Sequence, residues 1–457
     1  MGNTLTQMPG EIHIGPIVAS HQQVIFVSCL FFSYIFSFVY YSRFLHSRNH
    51  TAKQIYIVIV ANVFLWTSYT HWEVLQVYGY ILFTFGFAKA FRKHWWMPVV
   101  NFAVILGMLS GAHIWRQALY SASLDKYQID VTGVLMMLTV KLTSFAFDIR
   151  DAWVWIRRSA SIVIMRQNQK KGPDIKQPNG EQLPPSEKNS RLPMVDNATK
   201  FGVLKKFPSF LEFAAYALLY PGVLTGPTVT FYEFRTFIDG SQFEKANFAK
   251  KALPGRKRRA FYCFVLALLM LAMYVGLGWK LSVSYMITDE FIRKPLWYRV
   301  SYLHFSNLVS RCKYYFAWIV AEGSYVIMGL GYRRSTSGKA LWDRLENVNP
   351  LRLESSPDFR FLLSTWNICV TQWLNIYVYR RLQKYYGKEK SSIRATIITN
   401  FISAFWHGFY PGYYLMFISV GWMTVASRSK CVVELYCNLS SIYVECSGVQ
   451  KCHLAFW

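Results

Sequence analysis

His407 lies in the aromatic run from Phe405 to Tyr414, inside a long apolar stretch of the chain. An imidazole is costly to place in hydrocarbon unless it faces protein, a cavity or a substrate, and it is the side chain best suited to proton transfer near neutral pH. Pro411 follows four residues later, where its ring would clash with the His407 carbonyl in a continuous helix. We therefore expect residues 394–427 to form two helices, one ending near His407 and one beginning near Tyr413. A histidine that only hydrogen-bonds to a backbone carbonyl is the structural alternative.

A second candidate, Asn367, precedes this stretch. Four large side chains recur around it at the spacing of one helical face: Trp366, Val370, Trp373 and Tyr377. An amide inside a membrane needs hydrogen-bond partners, and a neighbouring helix that carries His407 could supply them. The same stripe is also typical of plain helix packing, and this second interpretation stays open.

The composition predicts a membrane protein. The 457 residues are 53% hydrophobic and only 16% charged, whereas about a quarter of the residues in a soluble chain are charged. Apolar segments near membrane-spanning length recur at about 24–42, 54–70, 72–91, 95–115, 131–149, 208–234, 260–287, 312–332, 360–383 and 394–427. We expect an all-α, polytopic fold of eight to ten transmembrane helices, with re-entrant or broken helices around an intramembrane reaction chamber.

Positive charge is concentrated in two polar stretches, 166–206 and 245–259, of a chain with 50 Lys and Arg against 24 Asp and Glu. The positive-inside rule, together with attraction to anionic lipid, accounts for both stretches and places them in the cytosol. A path for an anionic soluble substrate is a compatible interpretation. Nucleic acid is not an expected partner, because no recognition fold separates from the apolar segments.

Residues 208–234 lie between the two basic stretches. If both stretches are cytosolic, this segment cannot cross the bilayer once, and it is too short for two full spans. Pro221-Gly222 and Gly226-Pro227 would interrupt a helix twice. We predict a re-entrant or broken element in which residues 224–227 line an enclosed cavity; a tilted, kinked single span is the alternative.

The eight cysteines do not indicate a disulfide framework. Four lie in or beside apolar segments and are predicted to be small buried residues: Cys29, Cys263, Cys312 and Cys369. The other four lie within the last 27 residues: Cys431, Cys437, Cys446 and Cys452. Their spacing fits no common zinc template, so no metal is expected.

Several segments together resemble a known family. Trp366-Asn367-x-x-Val370-x-x-Trp373, followed by Trp406-His407-Gly408-x-x-Pro411-Gly412-Tyr413, is similar to the signature of the membrane-bound O-acyltransferases, and most similar to their lysophospholipid branch. Further resemblance is found in residues 137–146, 220–227, 311–318 and 347–350. The resemblance covers roughly residues 100–425. The alternative within the family, an enzyme acting on a sterol or diacylglycerol, is disfavoured because its aromatic–aspartate–tryptophan block is absent.

The resemblance implies transfer of a fatty acyl group from acyl-CoA to the free hydroxyl, at sn-2, of a lysophospholipid. His407 would be the general base, and Asn367 would position a reactant or hydrogen-bond the thioester carbonyl. By family analogy, Trp366, Trp373 and Tyr379 would line the acyl-CoA entrance. The substrates are then acyl-CoA and a lysophospholipid, with no cofactor and no metal. The resemblance also implies a multi-pass protein of the endoplasmic reticulum that takes part in phospholipid biosynthesis.

The resemblance ends at about Arg428. We therefore divide the chain into a transmembrane acyltransferase domain, 1–427, and a cysteine-rich tail, 428–457, that stands where family members have further spans. Without those spans the His407 side of the chamber would be partly uncovered. The alternative from another functional class is thus a non-catalytic membrane protein, either a transporter-like bundle or a truncated acyltransferase that only binds.

Overall fold

The computed structural model describes residues 11–14, 17–45, 47–122, 130–169, 203–244, 253–335, 339–386 and 392–427. Most of the basic stretch 166–206, part of the stretch 245–259 and the tail 428–457 lie outside these residues. The chain divides into two compact units, Met1–Val348 and Asn349–Trp457.

Unit 1 is built from eleven described helices. They are α1 (His21–Val39), α2 (His50–Ser68), α3 (His71–Phe91), α4 (Met97–Ala122), α5 (Thr132–Gln169), α6 (Phe210–Ala217), α7 (Phe231–Ile238), α8 (Ser241–Glu244), α9 (Arg256–Gly278), α10 (Asp289–Ile292) and α11 (Leu296–Met328). A π-helical turn, Tyr40–Phe44, follows α1, and 3-10 turns occupy Tyr220–Gly222 and Val283–Ile287. The helix α11 packs against both α9 and α1, and α5 packs against α3 and α4.

Two small antiparallel ladders, which sequence periodicity did not predict, complete unit 1. Strand β1 (Glu11–Ile14) pairs with β2 (Ile17–Ser20) before α1. Strand β3 (Arg333–Arg334) pairs with β4 (Ala340–Leu341) after α11. Ladders of two to four residue pairs leave the protein an all-α fold, as predicted.

Five helical segments in the described part of the chain are long and apolar enough to cross a membrane. They are His21–Phe44, His71–Phe91, Met97–Leu119, Thr132–Ser159 and Arg256–Ile287. Of the other apolar segments, 54–70 and 312–332 lie in the long helices α2 and α11, whereas 208–234, 360–383 and 394–427 are each divided into shorter helices. The architecture is that of a polytopic helical membrane protein.

The segment 208–234 is broken, as predicted. Helices α6 and α7 have only eight residues each, about 12 Å of helix. Between them lie the 3-10 turn at Tyr220–Gly222 and irregular backbone, almost all of it buried. Each short helix therefore ends inside the protein and needs partners for its last carbonyl groups.

Two buried lysines supply hydrogen bonds at those ends. Lys141 Nζ donates to the carbonyl of Ala217, the last residue of α6, at 2.9 Å. Lys53 Nζ donates to the carbonyl of Ile238, the last residue of α7, at 2.8 Å. Because the C-terminus of a helix carries partial negative charge, an ammonium group is the favoured donor there.

The broken segment contacts both α5 and α11 within unit 1. Tyr216 Oη donates to the Lys141 carbonyl at 2.9 Å, which joins α6 to α5. Tyr325 Oη, on α11, donates to the Pro227 carbonyl at 3.2 Å. Gly222 lies against the same carbonyl and the same hydroxyl, where a side chain would not fit.

A buried ion-pair network ties α9 to α11 and to the segment after β4. The Arg259 guanidinium contacts Glu322 at 2.6 Å and Glu346 at 3.2 Å. Glu322 is almost completely buried, and the Cys263 thiol also lies within hydrogen-bond distance of it. A buried carboxylate needs such partners, so the three chain segments are held together here.

Unit 2 contains six described helices. They are α12 (Pro350–Glu354), α13 (Phe359–Thr365), α14 (Ile368–Trp373), α15 (Arg380–Tyr386), α16 (Ser392–His407) and α17 (Pro411–Ala426). A π-helical turn, Leu374–Tyr379, joins α14 to α15. Every residue proposed for chemistry or substrate contact from the sequence lies in this unit.

Candidate functional site

The predicted break at His407 is confirmed. Helix α16 ends at His407 itself, and α17 begins at Pro411, two residues before Tyr413. The next residue, Gly408, has φ +105° and donates its N–H to the Phe405 carbonyl at 3.2 Å, which closes the helix end. Pro411 then occupies the first helical position of α17, where its missing N–H is no loss. Glycine and proline therefore produce the break together.

Three aromatic rings surround the partly buried His407 imidazole. Its centroid lies 5.0 Å from that of Tyr413 and 5.3 Å from that of Phe417, with interplanar angles of 25° and 28°. The Trp406 ring lies 4.7 Å away at 76°, an edge-on arrangement. The imidazole thus contacts three aromatic rings, two of them from α17, and stays partly exposed.

Asn367 occupies an unusual backbone position. It has φ +43°, and it is the only non-glycine residue with positive φ in the described part of the chain. Its carbonyl accepts the Thr371 N–H at 3.0 Å, so it begins α14. Asparagine tolerates this conformation better than most residues, and residues held there often lie at functional sites.

The prediction that Trp366 shares one helical face with the residues after it is wrong. Trp366 is extended and ends α13, and the left-handed Asn367 separates the helices α13 and α14. Val370, Trp373 and Tyr377 are all buried, as the stripe predicted. The backbone between Trp373 and Tyr379 widens into a π-helical turn, a feature frequent at functional sites.

The structure brings the Asn367 segment and the His407 segment together in unit 2. Trp373, on α14, lies 6.3 Å from Trp406, ring centroid to ring centroid, and both rings are almost completely buried. Helix α16 also packs along the π-helical turn. Close approach of the Asn367 amide to the His407 imidazole stays a prediction.

Of the side chains predicted to line the acyl-CoA entrance, Trp366 and Tyr379 are partly exposed and Trp373 is buried against Trp406. The Tyr379 hydroxyl accepts a hydrogen bond from Gln383 Nε2 at 3.0 Å. Trp373 therefore has a packing partner, whereas the other two present accessible surface. Which of the three touch the donor substrate stays a prediction.

Sequence reasoning did not assign a role to Tyr413 or Phe417. The signal was present, because the two rings lie four residues apart on the helix that starts at Pro411. Among the described residues, no group of three His, Cys, Asp or Glu side chains could hold a metal ion. The predicted burial of cysteines is confirmed for Cys29, Cys263 and Cys312, while Cys369 is partly exposed.

Comparison with known proteins identifies the family. The sequence model of the membrane-bound O-acyltransferase (MBOAT) family matches residues 116–430, more than half of the chain. The chain belongs to this family. The matched region contains α5, the broken segment and the described helices of unit 2, including Asn367 and His407.

Individual relatives of the chain are named as acyltransferases. The chain is 29% identical over 353 residues to a lysophospholipid acyltransferase of Schizosaccharomyces pombe. The aligned region covers 76% of this chain and 61% of the relative. It is 27% identical to membrane-bound glycerophospholipid O-acyltransferase 2 of Gallus gallus, over 94% of this chain and 75% of the relative. A lysophospholipid acyltransferase of Saccharomyces cerevisiae is 30% identical over 74% of this chain. The chain spans 61% and 51% of the length of the two yeast relatives.

Proposed function

We propose that this multi-pass membrane protein is a lysophospholipid acyltransferase, which transfers a fatty acyl group from acyl-CoA to the free sn-2 hydroxyl of a lysophospholipid. The observation that carries the proposal is an imidazole at a helix break, in contact with three aromatic rings, in a chain that belongs to the O-acyltransferase family. The printed names of the relatives support the lysophospholipid acceptor.

In this proposal His407 is the general base. An alcohol is a poor nucleophile, so the imidazole takes the hydroxyl proton as the oxygen attacks the thioester carbonyl. The tetrahedral intermediate then collapses, the C–S bond breaks, and the imidazolium returns the proton to the CoA thiolate. General-base catalysis of this kind contributes about 10²–10⁴-fold to the rate. Transfer is direct, with no acyl-enzyme.

We assign to Asn367 the positioning of a reactant or a hydrogen bond to the thioester oxygen as negative charge develops there. One such donor contributes about 10²–10³-fold. The left-handed backbone of Asn367 supports this role, because residues held in that conformation cluster at functional sites. Trp366, Trp373 and Tyr379 would border the path of the acyl-CoA.

Acyl-CoA is the co-substrate in this proposal, and no cofactor is needed. The excess of basic residues suits a donor whose CoA part carries several phosphate charges. Alignment of donor and acceptor in a chamber within the membrane supplies much of the remaining acceleration. We place the protein in the endoplasmic reticulum membrane, where it would serve phospholipid biosynthesis and remodelling.

A microsomal assay tests the proposal. The 457-residue chain is expressed in cells that lack endogenous lysophospholipid acyltransferases, and labelled oleoyl-CoA is supplied with lysophosphatidylcholine, -ethanolamine, -serine or -inositol. We expect labelled diacyl phospholipid from at least one acceptor, and a loss of at least about 100-fold in His407→Ala.

His304→Ala is the matched control, since His304 is an exposed histidine on α11. It should retain the activity of the unmodified chain. Absence of product with every acceptor, or full activity of His407→Ala, would contradict the proposal.

A further inference from the structure

His407 lies at the end of a helix, where the local backbone fixes only part of the side-chain conformation. His407 is the last residue of α16, and Gly408 reverses the chain direction immediately afterwards with φ +105°. The preceding helical turn restricts χ1 of His407, but χ2 of a histidine is broad, so local structure does little to fix the plane of the ring. Its orientation must therefore come from tertiary contacts.

Those contacts come from α17. Tyr413 and Phe417 are one helical turn apart, and their rings lie at 25° and 28° to the imidazole at centroid distances of 5.0 and 5.3 Å. These are the distances and angles of offset-stacked aromatic pairs. Helix α17 packs along α16 and also against α13, so the two rings are themselves held by the fold of unit 2.

Stacking and hydrogen bonding use different parts of an imidazole. The ring contacts lie toward the faces of the imidazole, while Nδ1 and Nε2 point outward in the plane of the ring. Rings that contact the faces can thus orient the base without occupying the nitrogen that must accept a proton.

We propose that Tyr413 and Phe417 are positioning residues that orient the His407 imidazole for proton transfer by stacking against it. The proposal rests on the proposed function, in which His407 is the general base. Tyr413 acts through its ring and not through its hydroxyl. Neither residue needs to touch a substrate.

The test compares four variants of the full chain in the microsomal assay: Tyr413→Leu, Phe417→Leu, Tyr413→Phe and Tyr414→Leu. Loss of either ring should lower kcat by about two- to tenfold, the equivalent of one aromatic pair, with little change in the KM for either substrate. Tyr413→Phe should stay within about twofold of the unmodified chain.

Tyr414→Leu is the control, since Tyr414 neighbours Tyr413 on α17 but contacts Phe401 at 6.1 Å. This variant loses a comparable aromatic contact and should keep the kcat of the unmodified chain. Fluorescence-detected size-exclusion chromatography establishes the amount of folded protein in each variant, and kcat is expressed per folded molecule. If Tyr413→Leu does not fold, Phe417→Leu and Tyr413→Phe decide the matter.

Three results would overturn the proposal. Both leucine variants could keep full kcat, they could raise KM alone, or Tyr413→Phe could lose as much as Tyr413→Leu. Failure of the proposed function is distinguishable, because it appears as full activity in His407→Ala. An inactive His407→Ala together with unaffected ring variants would reject only the positioning role.

Discussion

Trp373 packs against Trp406, with ring centroids 6.3 Å apart and an interplanar angle of 45°. Trp373 lies six residues after Asn367, and Trp406 directly precedes His407. The contact therefore joins the two segments that carry the proposed catalytic residues. It lies in unit 2, where α12 to α15 are helices of only five to seven residues and depend on packing against neighbours for their stability.

Removal of the Trp373 ring should destabilise unit 2. Trp373 is 2% exposed, and truncation of a buried tryptophan to alanine costs about 3–5 kcal/mol. We expect Trp373→Ala to lower the thermal midpoint measured in detergent and to reduce acyl transfer. Trp422→Ala, at a position that is 72% exposed, should leave the midpoint unchanged. An unchanged midpoint in Trp373→Ala would mean that this contact does not stabilise the unit.

Gly408 should not tolerate a side chain. Its φ of +105° is a backbone conformation that costs a residue with a Cβ about 1–3 kcal/mol. Gly408→Ala should therefore move the end of α16 and reduce kcat, measured in the microsomal assay. Gly412→Ala is the matched control, because an added Cβ at Gly412 meets nothing within 4 Å. Equal effects of the two substitutions would show that the φ of Gly408 is not the reason for its presence.

The lysine at the end of α6 should contribute to stability. Lys141→Met keeps most of the side-chain volume but leaves the Ala217 carbonyl, buried with it, without this donor. An unpaired buried polar group costs about 1–3 kcal/mol. We expect a lower thermal midpoint for Lys141→Met and no shift for Lys89→Met, where the lysine is exposed. A midpoint as high as that of the unmodified chain would contradict the capping role.

Gly222 should be required for the close approach of the broken segment to α11. A Cβ there would overlap the Pro227 carbonyl oxygen and the Tyr325 hydroxyl, so the backbone would have to move. Gly222→Ala should lower the yield of folded protein by size-exclusion chromatography. Gly133→Ala, whose added Cβ would lie 3.8 Å from the Leu224 carbonyl, serves as the control and should fold normally.

The fold class and both helix breaks could be predicted from the sequence because they depend on local chemistry. Long apolar runs require helices in a membrane, and proline and glycine at 221–227 and 408–412 interrupt them. The number of long helices could not be predicted, because a window of hydropathy does not distinguish one continuous helix from two short ones. The segment 360–383 shows this, since Asn367 and a π-helical turn divide it.

The candidate site was predicted in part. His407 and Asn367 follow from the cost of polar groups in an apolar setting, and the burial of Val370, Trp373 and Tyr377 follows from helical spacing. The spacing of Tyr413 and Phe417 on one helical face could be read from the sequence, but their approach to His407 could not. Their contact with His407 depends on the angle at which α17 returns along α16, which only the folded chain reveals.

The bond between Lys53 and the Ile238 carbonyl spans 185 residues of sequence. At translation rates of about 5–20 residues per second, the lysine is synthesised roughly 10–40 s before its acceptor exists. During that time the ammonium group must stay hydrated, since an uncompensated cation is expensive in a dry environment. We therefore expect α2 to complete its packing late in biogenesis, after α7 has been synthesised.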